Sequence, residues 1–376
     1  MKKKVLLFLC TVLSHTLISA QSLPISWYRQ FSGTIDKYPI VLHLHKAGDT
    51  YSGFYYYEKT QRPFRLAGTG SDTSVLPGQL NVAREQIRLS AYIPGNESTD
   101  ETLVLTITGT TLAGTWRKDE QSKELAITAT ETRRDSLSFD MIYVEGSLDL
   151  KPSLENSPSA SYEASTIWPH EQSPVGVYLR KLVNQLFGHK NSSEDIGKFL
   201  LKQKKDFMDG YRKENQDVAD SEVVSFPSSY SLQEDQNVLI LYRSMGLLTL
   251  ASTNYSYTGG AHGNYGTAYF SIDLGSRKEI KLADVITAAG KKPLAGLIEK
   301  FFRRDFKLSA SQPLSEAGLF GDKIEPTENF FLTGKGIGFG YQPYEIGPYA
   351  MGEIVVFIPF TELVGLLNPA FRKFVQ

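Results

Sequence analysis

The sequence predicts an α+β fold, with an all-β N-terminal part and a mixed C-terminal part. Three observations predict it. Residues 31–144 hold short strand-like runs separated by glycine turns, with no competing helical period. Residues 151–161 are rich in serine and proline with little to bury. Beyond them, amphipathic helical patterns alternate with apolar strands.

The chain opens Met-Lys-Lys-Lys, continues through a mostly apolar run from Val5 to Ile18 interrupted by Thr11, Ser14, His15 and Thr16, and reaches Ser19-Ala20 before Gln21. A basic start, a short apolar core and a small residue at the cut site predict a secretory signal over 1–20. No later stretch reaches the roughly 18 uninterrupted apolar residues of a membrane span. The expected location is therefore the periplasm or the exterior. Cys10 is the only cysteine; it lies inside the signal, so the mature chain is expected to have no disulfide and no thiol chemistry. Removing residues 1–20 takes three lysines and no acid, which moves the formal charge from −1 to −4. That balance argues against nucleic acid as a partner.

The domain plan is a signal at 1–20, a β-meander at 21–150, a linker at 151–161 and an α+β domain at 162–376. In the meander, Ile40–His45 leads through Lys46-Ala-Gly-Asp49 into Tyr51–Tyr57, a hairpin pattern. Leu103–Thr108, Gly109–Trp116 and Glu124–Thr130 repeat it. An antiparallel meander of this kind closes into a barrel or sandwich, because closure removes exposed edges.

In the second domain, Val175, Tyr178, Leu179, Leu182, Val183 and Leu186 follow helical spacing, and Gly188 marks a stop. A second helix is expected from Ser192 or Ser193, with Glu194 and Asp195 in its first turn. Strands are expected at Glu222–Ser225, Val238–Tyr242, Leu247–Tyr257 and Ala268–Ile272. Pro293 opens a further helix, and Thr333-Gly-Lys-Gly336 joins a hairpin. Ile354–Ile358 reads as a central strand, and Pro359 onward as a terminal helix. The domain is predicted to pack its helices on one face of a mainly antiparallel sheet.

Two runs stand out: Tyr255-Ser-Tyr-Thr-Gly-Gly-Ala-His-Gly263 and Tyr341-Gln-Pro-Tyr-Glu-Ile-Gly-Pro-Tyr-Ala-Met-Gly352. Glycine permits positive φ, and tyrosine offers flat amphipathic contact area, so these runs have the make-up of a binding surface. Tyr341, Tyr344, Glu345, Tyr349, Tyr257 and His262 are the candidate ligand contacts. His262 has no neighbouring carboxylate or histidine in sequence to complete a catalytic site. His43 and His45 share one side of a strand, as zinc ligands do, but two ligands do not make a site. No nucleophile elbow, zinc-protease motif, P-loop or dinucleotide fingerprint is present. No catalytic residue, metal site or cofactor is therefore assigned.

The runs, together with Phe270-Ser-Ile-Asp-Leu274 and Lys281-Leu-Ala-Asp284, resemble the extracytoplasmic domain shared by RsiV-type anti-sigma factors and PdaC-type peptidoglycan deacetylases. The resemblance covers about residues 160–376. In the RsiV branch it implies a receptor for lysozyme, and in the deacetylases a companion to a separate catalytic domain. The chain lacks that catalytic domain, and it has a signal and a β-rich domain where an anti-sigma factor has a cytoplasmic segment and a span. The first domain is loosely similar to β-meander modules of secreted Bacteroidetes-type proteins, through Gly53-Phe-Tyr-Tyr-Tyr57 and Gly114-Thr-Trp116. The expected function is non-catalytic binding of an envelope macromolecule, a lysozyme-like protein or a peptidoglycan fragment. Two alternatives stay open: a glycan hydrolase pairing Glu345 with Asp273 or Asp284, and a small apolar ligand held in the β domain.

Overall fold

The computed structural model describes residues 25–72, 85–132, 137–170, 172–190, 195–244 and 246–376, without the side chains of 97–99. The expected signal at 1–20 lies outside these residues. Eight antiparallel strands come first: β1 (Ser26–Ile35), β2 (Tyr38–Ala47), β3 (Thr50–Tyr57), β4 (Phe64–Asp72), β5 (Glu85–Ile93), β6 (Asn96–Thr108), β7 (Thr111–Arg117) and β8 (Leu125–Glu131). They form a closed barrel, with β1 pairing back onto β8 from Phe31↔Glu131 to Ile35↔Ile127. Alternate positions such as Phe31, Leu42, Tyr55, Leu89, Leu103 and Leu105 point inward and are fully buried. Bulky inward side chains fill a small barrel, the arrangement opposite to a ligand-carrying lumen. Glu101 accepts hydrogen bonds from the Tyr55 hydroxyl and, at 2.8 Å, from Trp116 Nε1, and its burial raises its pKa above the usual range.

The barrel ends at Glu131, so β9 (Phe139–Asp149) belongs to the second unit, in contrast to the expected boundary at 150. β9 pairs with β10 (Ser159–Pro169) along its whole length. The stretch expected as a linker is the loop of this hairpin and the start of β10. Leu150 N donates to Pro158 O at 2.9 Å, and Lys151 N to Ser157 Oγ at 2.8 Å. A serine- and proline-rich composition signals exposed turn backbone, and it does not separate a hairpin loop from a linker.

Three helices follow: α1 (Pro174–Leu186), α2 (Ile196–Glu214) and α3 (Asp220–Ser225). Ser173 caps α1 by accepting from Gly176 N, and Gly188 takes φ +73° beyond its end. Ser192, Ser193 and Glu194, expected at the start of α2, lie outside the described residues; Asp195, expected in its first turn, is the N-cap, accepting from Gly197 N at 2.8 Å. The Glu222–Ser225 segment, expected as a strand from its paired valines, is the end of α3. Asp220 and Glu222 suit that helix's positive N-terminus, and only Val223 is buried.

The chain then returns as β11 (Leu232–Ser244), β12 (Leu247–Tyr257), β13 (Asn264–Asp273) and β14 (Lys278–Glu279). The sheet order is β14-β13-β12-β11-β10-β9, antiparallel except between β10 and β11. α4 (Leu282–Val285) and α5 (Lys291–Asp305) lead to a three-stranded sheet of β15 (Phe330–Leu332), β16 (Gly336–Tyr341) and β17 (Ile354–Pro359). β17, expected to be central, is an edge of this small sheet. It is apolar throughout because α5 and the barrel cover it, and Val355 N donates to Pro94 O at 3.1 Å. The expected terminal helix is a pair of 3₁₀ turns at 360–362 and 369–374, interrupted by Asn368-Pro369.

α1 and α2 cover one face of the large sheet over β9 and β10, and the small sheet and the barrel cover the other. Asn329 joins the two sheets: its Oδ1 accepts from Tyr269 N at 3.0 Å, and its Nδ2 donates to Thr267 O and Gly340 O. The outer face of the barrel packs onto β11, with Val41, Phe54 and Tyr56 in one continuous core with the second domain. The whole is the α+β, two-domain architecture the sequence predicts. Among the described residues no helix is long and apolar enough to cross a membrane.

Candidate functional site

The turn after β12 and the loop after β16 meet on the barrel-facing side of the sheet. Gly259 and Gly260 adopt φ +88° and +97°, which folds the 258–263 turn back on itself. The Tyr257 hydroxyl donates to Gly260 O at 2.8 Å and reaches Ser228 O at 3.2 Å, tying the turn to the end of α3. Gly263 lies under the Tyr255 ring, where a Cβ would sit 2.4 Å from the ring. His262 Nδ1 donates to Gly263 O at 2.8 Å, which leaves Nε2 as the acceptor facing the Tyr344 hydroxyl at 3.5 Å.

The imidazole stacks on Tyr349, with centroids 4.1 Å apart and planes 20° from parallel. Tyr344 lies 5.5 Å from Tyr349, and Tyr265 meets the same ring edge-on at 6.2 Å. Tyr344 is 55% exposed and holds φ +69°, a conformation uncommon for tyrosine that turns its ring outward. Phe320 is also exposed and is tied to this loop by its N–H, which donates to Ile346 O at 2.9 Å. On the other flank, Phe226 is exposed at the end of α3.

Of the predicted contacts, the structure brings His262, Tyr344 and Tyr349 together, with Tyr257 bracing the turn beside them. Tyr341 is placed differently. It is 1% exposed, its hydroxyl donates to Glu325 O at 2.8 Å, and burial raises its pKa. It is a core residue because it lies on the inward side of β16. Glu345 is exposed, but its Oε2 accepts from Gln342 N at 2.8 Å and so closes the 342–345 turn. Gln342 in turn acts as a substitute strand: its Oε1 accepts from Thr267 N and its Nε2 donates to Thr267 O, capping the edge of β13.

Strand register reveals residues that single motifs do not. Glu145, Glu163, Asp235, Tyr255 and Tyr265 are successive partners across β9, β10, β11, β12 and β13, so they form one row on one face. The row runs from three carboxylates into the tyrosine cluster. Burial, then the charges of Asp235 and Glu145, push the Glu163 acid above its usual range, and burial does the same to Asp235. The sequence signal for this row is weak, since it depends on pairing between strands far apart in the chain.

The carboxylate pairs required of a hydrolase do not assemble. Asp273 lies six residues along β13 from Thr267, the residue Gln342 holds, or about 20 Å of extended strand. A glycosidase pair needs roughly 5–10 Å. Asp273 is engaged by Lys373 Nζ and by the amides of Gly275 and Ser276, and Asp284 caps α4 by accepting from Lys281 N. His43 and His45 share a face as expected, but that face is buried against the second domain. The Tyr28 hydroxyl lies 2.9 Å from His43 Nδ1, and Ile240 N donates to His45 Nε2 at 3.1 Å. Among the described residues no group of three or more potential ligands could hold a metal.

Residues 283–361 match the family described as Protein of unknown function (DUF3298), and residues 181–265 match the one described as Deacetylase PdaC. His262 falls in the second match, and Tyr344 and Tyr349 in the first, so the aromatic cluster forms where the two meet. No curated protein compared with the chain matches it. A DUF3298 family member from Bacteroides fragilis NCTC 9343 has a similar crystal structure, at 26% identity and a TM-score of 0.57; the alignment covers 64% of this chain and 96% of that one. A DUF3298 family protein from Pseudomonas aeruginosa PAO1 aligns at 18% identity over 62% of this chain and 96% of that one, with a TM-score of 0.43. In two adjoining sequence segments, and in its fold, the second domain of this chain is similar to the DUF3298 and PdaC-type domain of unknown function.

Proposed function

We propose that the chain is a non-catalytic binding protein of the cell envelope, periplasmic or extracellular, whose second domain recognises a basic protein of lysozyme type. The observation that carries this reading is the row Glu145–Glu163–Asp235 continuing into the cluster of exposed His262 and Tyr344 with half-buried Tyr349. Exposed aromatic rings on a braced loop supply anchor area at low entropic cost, and adjacent carboxylates complement a cationic surface. The same carboxylates disfavour an anionic peptidoglycan strand, which separates the two ligand classes suggested by the sequence. The domain resemblance supports the same choice. Calorimetric titration of the purified chain with lysozyme tests it. The expected outcome is saturable binding that weakens as ionic strength rises, since exposed charges are screened over about 8–10 Å at physiological salt. Absence of heat at low salt rejects the reading.

A further inference from the structure

The opposite face of the large sheet carries a second surface. α1 and α2 cover β9 and β10 there, and beside α2 the ends of β11–β13 remain open as a trough of about 850 Å³, within the range of ligand sites. Its wall is Phe199, Gln203 and Phe207 of α2, and its floor includes Asn254, Ser256, Asn264 and Gly266. Short floor side chains make the depression. Phe199 is held by a stack with His189 at 4.1 Å, and Phe207 packs on Tyr162 at 6.0 Å, so both rings are fixed.

Two further amides at the trough are spent on the fold: Gln236 donates to Leu186 O, and Gln342 pairs with Thr267. Gln203, Asn254 and Asn264 are exposed and make no side-chain hydrogen bond among the described residues.

We propose that this trough binds an uncharged oligosaccharide, with sugar C–H faces against Phe199 and Phe207 and hydroxyls on the amides of Gln203, Asn254 and Asn264. A side-chain amide offers a donor and an acceptor side by side, which matches hydroxyls that both give and receive. A fixed aromatic face matches the apolar face of a pyranose ring. A peptide is disfavoured because the floor has no main-chain groups to offer. β12 is paired on both sides, and Gln342 occupies the outward N–H and C=O of Thr267 on β13. Glu234 and Asp206 at the margin repel an anionic chain.

The test is titration of the full chain with chitotriose, cellotriose and maltotriose, followed by calorimetry and by NMR of the sugar. At least one is expected to bind. The double substitution Asn254→Ala/Asn264→Ala weakens that binding at least tenfold and Gln203→Ala several-fold, with unchanged melting temperature because all three positions are exposed. Tyr344→Ala, on the other face, leaves sugar binding intact, so the outcome is separable from that of the lysozyme reading. The proposal is overturned if none of the three sugars binds, if the amide variants bind unchanged, or if oligolysine rather than sugar perturbs the trough.

Discussion

His262 and Tyr349 stack at 4.1 Å across 87 positions of sequence, and this contact fuses the two tyrosine- and glycine-rich runs into one surface. Neither residue needs the other for its local backbone, since His262 is fixed through Gly263 O and Tyr349 opens a 3₁₀ turn. The stack fixes both rings side by side, which is what the proposed binding role requires of them. Tyr349→Ala and His262→Ala are expected to weaken lysozyme binding at least tenfold, which corresponds to about 1.4 kcal/mol. The urea midpoint should shift little. Paired titration and denaturation of each variant measure the two effects.

Arg65 and Glu353 tie the barrel to the second domain, with N–O at 3.4 Å and the Glu353 side chain 1% exposed. Tyr269 donates to the same carboxylate at 2.6 Å. Arg65→Met leaves a buried charge without its cation and is expected to destabilise by about 3–5 kcal/mol, whereas removing both members with Glu353→Gln is expected to recover part of the loss. Urea unfolding of the single and double variants checks this.

His45 gives the domain interface a pH dependence. Burial depresses its pKa to about 3, so the folded state takes up a proton less readily than the unfolded chain does. The stability it contributes is fully present above its ordinary value of 6.5, and it is lost as pH falls from there through about 3. His45→Asn should flatten the acid limb of the stability curve across that window. Denaturation at stepped pH values reads the difference.

Gln342 holds the edge of β13 through both of its amide atoms. Gln342→Ala is expected to cost about 1–3 kcal/mol, because it leaves the Thr267 N–H unpaired, while Thr267 O keeps Asn329 Nδ2 as its donor. Hydrogen exchange at the Thr267 amide should accelerate in that variant, with little change on the far side of the barrel.

Much of this architecture is legible in the sequence because it rests on local patterns. The alternation in Ile40–Tyr57 gives the hairpin, and the spacing from Val175 to Leu186 gives α1. What is not legible depends on pairing at a distance. β9 has the same alternation as the barrel strands, and only its partner β10 moves it to the second sheet. Tyr341 and Tyr344 look alike in sequence; one faces the core of β16, and the other is turned outward by a positive φ. The Glu145–Glu163–Asp235 row exists only through strand register, with members 18 and 72 residues apart. Phe199 and Phe207 read as an apolar helix face, and the trough beside them appears only once α2 is set against the floor.

Recognition by the aromatic cluster is tested most directly by lysozyme affinity of the wild-type chain and of a Tyr344→Ala/Tyr349→Ala variant at low and physiological salt. Wild-type binding is expected to saturate, to weaken with salt and to fall at least a hundredfold in the variant, while melting temperatures stay alike. Equal affinity of the two folded proteins, or no binding by wild type, contradicts it.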